Sequence, residues 1–269
     1  MSELIGQAGA CASKVKGIRA SSLPLLFQCI RALDYKEFAM SNKYAETGSL
    51  IHLGIEAYHK LLSVDAALAV MATKQTDYPE ASGTKAAHAF RRYTEEQHRW
   101  GCIKGTEQAI AFELAPAPFD PTQEKIIIEG TLDQIRDNGT TIIADTKTGS
   151  KPIKWMFRHY APQLAAYQYG YYHTTGIKPH AAIIRTADFL QGGDIFHPVP
   201  WRWETVIDMM DTVRTLIALY RMGLKIATPG EHCEWCPAVG IEHCGTGKPP
   251  EDKNRIALPQ VKSIEDLFK

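Results

Sequence analysis

Long apolar runs are missing from this chain. Nowhere among its 269 residues does an uninterrupted hydrophobic stretch approach the roughly 18–20 residues that cross a bilayer, which sets aside a helical membrane span. Charge of one sign is missing too. Thirty Lys and Arg balance 30 Asp and Glu, so the chain as a whole exerts no pull on nucleic acid or acidic lipid, although a local patch is compatible with that sum. Cysteine is sparse: six in a chain this long are too few for a disulfide scaffold. The opening MSELIGQAGACASKVKG has no basic stretch leading into an apolar core, so a secretory signal is not expected, and a reducing, cytoplasmic setting is. Internal repeats and low-complexity tracts are absent as well.

What is present suits one sizeable core, with 45% hydrophobic residues. Apolar spacings of three and four predict helices over 22–38, 47–62 and 82–100. The pattern then shortens to β-branched runs at IAFEL (110–114), KIIIEGTLDQI (125–135) and TTIIADTK (140–147), the last two joined by the turn signal Asp137-Asn138-Gly139. A helix over about 156–175, strands near 181–187 and 193–198, and a helix over about 202–223 follow. This order predicts an α/β fold, a mixed sheet flanked by helices with an N-terminal helical addition. The division expected is a tail at 1–21, the main domain at 22–225, and a Cys-rich segment at 226–269 too poor in apolar residues to fold without a metal.

The stretch IIADTKTGSKP (142–152) ends an apolar strand on Asp145 and Lys147, which strand alternation places on one face. Asp133, three residues after Gly130, is expected at the end of the preceding strand, so two carboxylates and an ammonium can converge. Two acids side by side repel unless a cation neutralises them, and hard oxygen ligands suit Mg²⁺ or Mn²⁺. A Lewis acid, an oriented water and a positive charge are the parts that phosphodiester hydrolysis needs. Taken alone, an Asp-x-Lys triplet is more simply the exposed ion pair of a surface hairpin. It is not alone: PQLAAYQYGYY places Gln163 and Tyr167 on one helical face directly after that strand, and GSLIHLGIEAY places His52 and Glu56 one turn apart upstream.

In this order, a helical His52, then Gly130-x-x-Asp133, then Asp145-x-Lys147, then Gln163-x-x-x-Tyr167, the chain resembles the PD-(D/E)xK nuclease superfamily, in particular its RecB-like and Cas4-like exonuclease branch. The resemblance runs from about Ser22 to Cys244. It implies a restriction-endonuclease-like fold, a metal held by His52, Asp133, Asp145 and the backbone carbonyl of Thr146, Lys147 as the catalytic lysine, and Gln163 and Tyr167 positioning DNA or the hydrogen bonds of the site.

CEWCPAVGIEHC supplies Cys233, Cys236 and Cys244, a spacing that can clamp a soft metal, with His232, His243 or the distant Cys29 as a fourth ligand. The resemblance implies that Cys29, Cys233, Cys236 and Cys244 hold a 4Fe–4S cluster that staples the chain ends. Zinc stands as the alternative, and the gap from Cys236 to Cys244 is longer than the family's usual one. Lys151, Lys154 and Arg158, interleaved with Trp155, suit a DNA strand with its phosphates neutralised and its bases stacked; a solvated loop leading into a helix fits the same residues. The expectation is a metal-dependent deoxyribonuclease acting on DNA ends in recombination, repair, phage DNA metabolism or CRISPR adaptation. Further copies of the chain or a recombination or CRISPR protein are its expected partners, with no membrane. A catalytically silent DNA-binding adaptor on the same fold is the alternative.

Overall fold

The computed structural model describes residues 17–31, 43–186, 193–224, 228, 230 and 233. Apart from residues 228, 230 and 233, the Cys-rich segment, with Cys236 and Cys244, lies outside the described residues, as do residues 32–38 of the first expected helix. Six strands form one mixed sheet: β1 (Ile18–Arg19), β2 (Cys102–Leu114), β3 (Ile126–Asp137), β4 (Thr141–Lys147), β5 (His180–Arg185) and β6 (Phe196–Pro198). The helices are α1 (Leu23–Gln28), α2 (Lys43–Leu61), α3 (Val64–Lys74), α4 (Gly83–Glu96), α5 (Ile153–Thr175) and α6 (Trp203–Arg221). Strands β2, β3 and β4 run as an antiparallel meander, α5 crosses over, and β5 returns parallel to β4. Among the described residues, no helix is long and apolar enough to cross a membrane.

Alternation along the strands feeds two separate cores, one on each face. Ile143 and Ile183 pack with Leu164, Ala165 and Met210 of α5 and α6. Ile142, Ala144 and Ile184 pack with Ile51, Ile55 and Phe90 of the helical layer α2–α4. A central strand buried on both faces reads as a continuous apolar run, which is why IIA is uninterrupted before Asp145.

Most elements fall where the periodicity puts them, and the differences have physical causes. Strand β2 begins at Cys102 rather than near Ile110, because its polar half CIKGTEQ is held by pairing to β3 and not by burial. Helix α3 has no counterpart in the sequence reading. Its run of Ala and Val has little polar–apolar contrast, and its start is marked only by Ser63, whose hydroxyl accepts from the Ala66 amide. Helix α1 stops at Gln28, and Cys29 turns to extended backbone. At the β3–β4 turn, Gly139 takes φ +98° and donates to the Asp137 carboxylate, as Asp-Asn-Gly predicts.

The helical layer is fastened to the sheet by a fully buried arginine. Arg136 of β3 donates to Gln134 Oε1 (2.8 Å), the Gln97 carbonyl (2.9 Å), the Gly101 carbonyl (3.3 Å) and the Tyr93 hydroxyl (2.9 Å). His59 of α2 lies 2.6 Å from the same hydroxyl, and burial followed by the charge of Arg136 lowers its pKa to about 4, so it is neutral at physiological pH. The guanidinium also faces Trp100, 5.2 Å from the ring centre. Replacing Arg136 with Met takes the donor from two part-buried carbonyls and leaves the Tyr93 hydroxyl and Gln134 only each other and His59. The expected loss is about 3 kcal/mol of stability, read as a lower midpoint in denaturant unfolding; a loss below about 1 kcal/mol would show that the network does not hold the layers together.

Candidate active site

Strand β3 changes partner along one edge. Ile128 and Glu129 pair with β1, whereas Gln134 to Asp137 pair with β4. Asp133 sits between the two, inside the strand rather than at its end as expected from sequence. Its Oδ2 accepts the Thr146 amide at 2.7 Å, so the carboxylate bridges the point where β4 leaves β3. Three residues earlier, a Cβ at Gly130 would lie 2.8 Å from the Tyr167 ring. The missing side chain lets α5 come down onto the sheet and brings Gln163 over β4.

Asp145, Lys147, Gln163 and Tyr167 then form one network. Lys147 Nζ lies 2.8 Å from Asp145 Oδ2, with the side chains 16% and 3% exposed, and donates to Gln163 Oε1 at 3.0 Å. Gln163 Nε2 donates to Asp145 Oδ1 (3.3 Å) and the Tyr167 hydroxyl (3.0 Å), which fixes which end of the amide faces which partner. The ammonium also lies 4.2 Å from the centre of the Tyr160 ring. Burial opposes the charge on Lys147, but Asp145 and its other neighbours outweigh burial and raise its pKa, so it remains an ammonium at neutral pH. Burial pushes the Asp145 carboxyl up against the pull of Lys147. The ion pair of the sequence reading is real, and it is buried.

On the other side of Asp133 stands a group that the motifs do not contain. Oxygen and nitrogen atoms of His52, Glu107 and Asp133 lie within 4.8 Å of one another. Glu107 belongs to β2, opposite Asp133 between the pairs Thr106↔Gln134 and Gln108↔Leu132, and its φ of +48° is left-handed. That conformation costs a non-glycine residue about 1 kcal/mol. His52 Nε2 lies 3.2 Å from the Thr146 carbonyl, which can only accept, so this nitrogen carries the proton. His52 Nδ1 faces Asp133 Oδ2 at 3.4 Å, beside the Glu107 carboxylate. Two carboxylates and an imidazole converging in this way suit a positive partner, a proton or a metal ion, and the mixed N/O set fits a divalent cation. Burial, followed by the nearby Asp133 charge, raises the Glu107 pKa from 4.5 to about 7.

The structure thus brings His52, Asp133, Thr146, Asp145, Lys147, Gln163 and Tyr167 together. Glu107 was missed because the strand signal begins only at Ile110, and a glutamate in CIKGTEQ has no periodic role to mark it. Trp155 stacks on His159, ring centres 4.3 Å apart, while Lys151, Lys154 and Arg158 are exposed around the start of α5. Cys29 is buried at the end of α1, and the Gly230 amide donates to the Cys233 sulfur at 3.4 Å.

Residues 12–241 match the family model of the PD-(D/E)XK nuclease superfamily. Among solved structures, the chain is similar to a candidate exonuclease from Eubacterium rectale, with 13% identity over 99% of this chain and 98% of that one and a TM-score of 0.47. It is also similar to the protein SSO0001, with 15% identity over 82% of this chain and 83% of that one and a TM-score of 0.40. No curated protein matches.

A carboxyl with a raised folded pKa is protonated in the fold and ionised in the unfolded chain between the two values. Stability contributed by Glu107 is therefore present below pH 4.5 and lost as pH rises towards about 7. A divalent cation favours the ionised carboxylate and reverses that loss. Mn²⁺ is expected to raise the melting temperature more at pH 7.5 than at pH 5; an equal shift at both, or none, would contradict metal binding by this group.

Proposed function

The chain belongs to the PD-(D/E)XK nuclease superfamily, and on that premise we propose that it is a Mg²⁺- or Mn²⁺-dependent deoxyribonuclease of the RecB-like and Cas4-like branch, an exonuclease acting on DNA ends in recombination, repair, phage DNA metabolism or CRISPR adaptation. The observation that carries this reading is the buried Asp145–Lys147–Gln163 network lying one strand away from the His52–Glu107–Asp133 cluster.

His52, Asp133 and Glu107 would hold the cation, with Asp145 and the Thr146 carbonyl as the further ligands that the family resemblance implies. Bound there, the metal supplies a Lewis acid for a phosphodiester oxygen. The chain's own groups do the remaining work. Lys147, an ammonium that Asp145 and Tyr160 keep in place, donates to a phosphate oxygen or to the attacking water and stabilises the charge that develops. It is not a base at neutral pH, because its proton is held too firmly. Gln163 ties Lys147 to Asp145 and so fixes the direction of the ammonium. Tyr167 anchors that glutamine. Lys151, Lys154 and Arg158 meet backbone phosphates, and Trp155 offers a face for a base.

Cys29, Cys233, Cys236 and Cys244 hold a 4Fe–4S cluster that joins the two ends of the chain, with zinc as the alternative metal. The amide–sulfur bond at Cys233, of the kind a cluster-bound sulfur accepts, is the observation that supports this assignment. Other copies of the chain, or a recombination or CRISPR protein, are the expected company at the DNA.

Asp133→Ala, Asp145→Ala and Lys147→Ala are each expected to lower Mg²⁺- or Mn²⁺-dependent cleavage by about 10²-fold or more while circular dichroism stays native. Full activity in Lys147→Ala would remove the mechanism. Cys236→Ala is expected to give a colourless protein that melts earlier; retention of the brown absorbance and of the melting temperature would defeat the cluster assignment.

A further inference from the structure

We propose that Gln28 and His159 are positioning residues for Lys147, a brace through which helix α1, which carries none of the motifs, sets the aim of the ammonium. The proposal rests on the nuclease reading and adds to it a point of control. Lys147 is held from two adjacent turns of α5. Gln163 accepts from its Nζ at 3.0 Å, and the Tyr160 ring, three residues earlier, has its centre 4.2 Å from the same atom. An ammonium over an aromatic ring is drawn to the ring's face, so its direction follows the plane of the ring. Whatever fixes the Tyr160 plane therefore fixes one of the contacts that aim Lys147.

That plane is set by two neighbours on the same helix. His159 meets the Tyr160 ring edge-on, with centres 4.6 Å apart at 85°, and Trp155 does so at 6.4 Å and 87°. Trp155 and His159, one turn apart, are themselves stacked at 4.3 Å and 15°. Ring contacts tolerate a range of offsets, whereas a hydrogen bond weakens steeply off its line. The hydrogen bond comes from another element: Gln28 Nε2, at the end of α1, lies 2.8 Å from His159 Nδ1. Burial, then the charge of Lys147, lowers the His159 pKa below its usual 6.5. At neutral pH the imidazole is therefore neutral, and its Nδ1 accepts from the Gln28 amide.

Helix α1 is fixed firmly enough to act as the anchor. Leu23 and Leu26 are buried in the same core as Met156 and Leu164 of α5, and the Cys29 amide donates to the Leu25 carbonyl at 2.8 Å to close the last turn. The Gln28 amide oxygen is buried without a partner, which costs stability. What this side chain contributes is therefore its bond to the imidazole. A path of direct contacts then runs from Gln28 through His159 and Tyr160 to Lys147.

The test uses the full chain with its lysines ¹³C-labelled at Cε and reads the Lys147 signal by NMR, assigned by its loss in Lys147→Arg. The ring current of Tyr160 displaces that signal, and Tyr160→Leu is expected to abolish the displacement. Gln28→Met keeps the side-chain length and removes the bond, while His159→Phe keeps the stack and removes it too. Both are expected to move the Lys147 signal towards its Tyr160→Leu position with little change in melting temperature. Added to Tyr160→Leu, Gln28→Met is expected to move it no further. In Mn²⁺-dependent cleavage each variant is expected to lose about fivefold in kcat with KM kept within about twofold. A signal unmoved in both variants, or moved equally by Gln28→Met with and without Tyr160, overturns the proposal. So does an unchanged kcat in a chain that cuts DNA. The signal is read without cleavage, so the two failures are distinct. A chain in which it moves but that never cuts DNA loses the nuclease reading and keeps the brace; one that cuts DNA with the signal unmoved loses the brace alone.

Discussion

The 2.7 Å bond from the Thr146 amide to the Asp133 carboxylate joins two strands at the point where their ladder has ended. Above it, β4 is an ordinary buried strand, paired to β3 and β5 and packed on both faces. Below it, the same strand is separated from β3, and its last three residues become chemistry rather than core. Asp133 holds the junction and in doing so turns towards His52 and Glu107. Thr146 spends its amide on Asp133 and its carbonyl on His52, so the cluster and the strand end keep one fixed relation. Most other features serve to keep that junction in place. Gly130 lets α5 approach, Gln163 and Tyr167 come with the helix, and Arg136 presses the layer carrying His52 onto the opposite face of the sheet.

Electrostatics divide the site into two unequal halves. Asp145 is compensated by a buried ammonium and an amide, which makes its half self-contained within the protein. The half made of His52, Glu107 and Asp133 has no lysine or arginine among the three, only the more distant charge of Lys60 acting on Glu107, and a glutamate is held in a left-handed backbone to complete it. A third electron-rich atom beside two others, held at the cost of backbone strain, is a set that fits a divalent cation. With a cation bound in that half, as proposed, a phosphate between the halves would meet it on one side and the Lys147 ammonium on the other.

Much of this was legible in the chain. The meander, the crossover helix and the alternation that puts Asp145 with Lys147 and Gln163 with Tyr167 all follow from periodicity, because those segments are buried and burial writes itself as pattern. Glu107 was not legible, since the half of β2 that carries it is held by hydrogen bonds to β3 and shows no apolar rhythm. The place of Asp133 was misjudged for a related reason: a break between β1 and β4 as partners is a property of the sheet, and nothing in LDQIRD announces it. Helix α3 was invisible because alanine favours helix without marking a face.

The account stands or falls on whether the His52–Glu107–Asp133 cluster carries the proposed reaction. The most direct measurement is digestion of end-labelled single-stranded DNA by anaerobically purified protein and by its Glu107→Gln variant, with Mn²⁺ and with EDTA. Cleavage that requires Mn²⁺, stops in EDTA and falls about tenfold or more in Glu107→Gln is the predicted result. Cleavage that continues in EDTA, or that Glu107→Gln leaves unchanged, would contradict it.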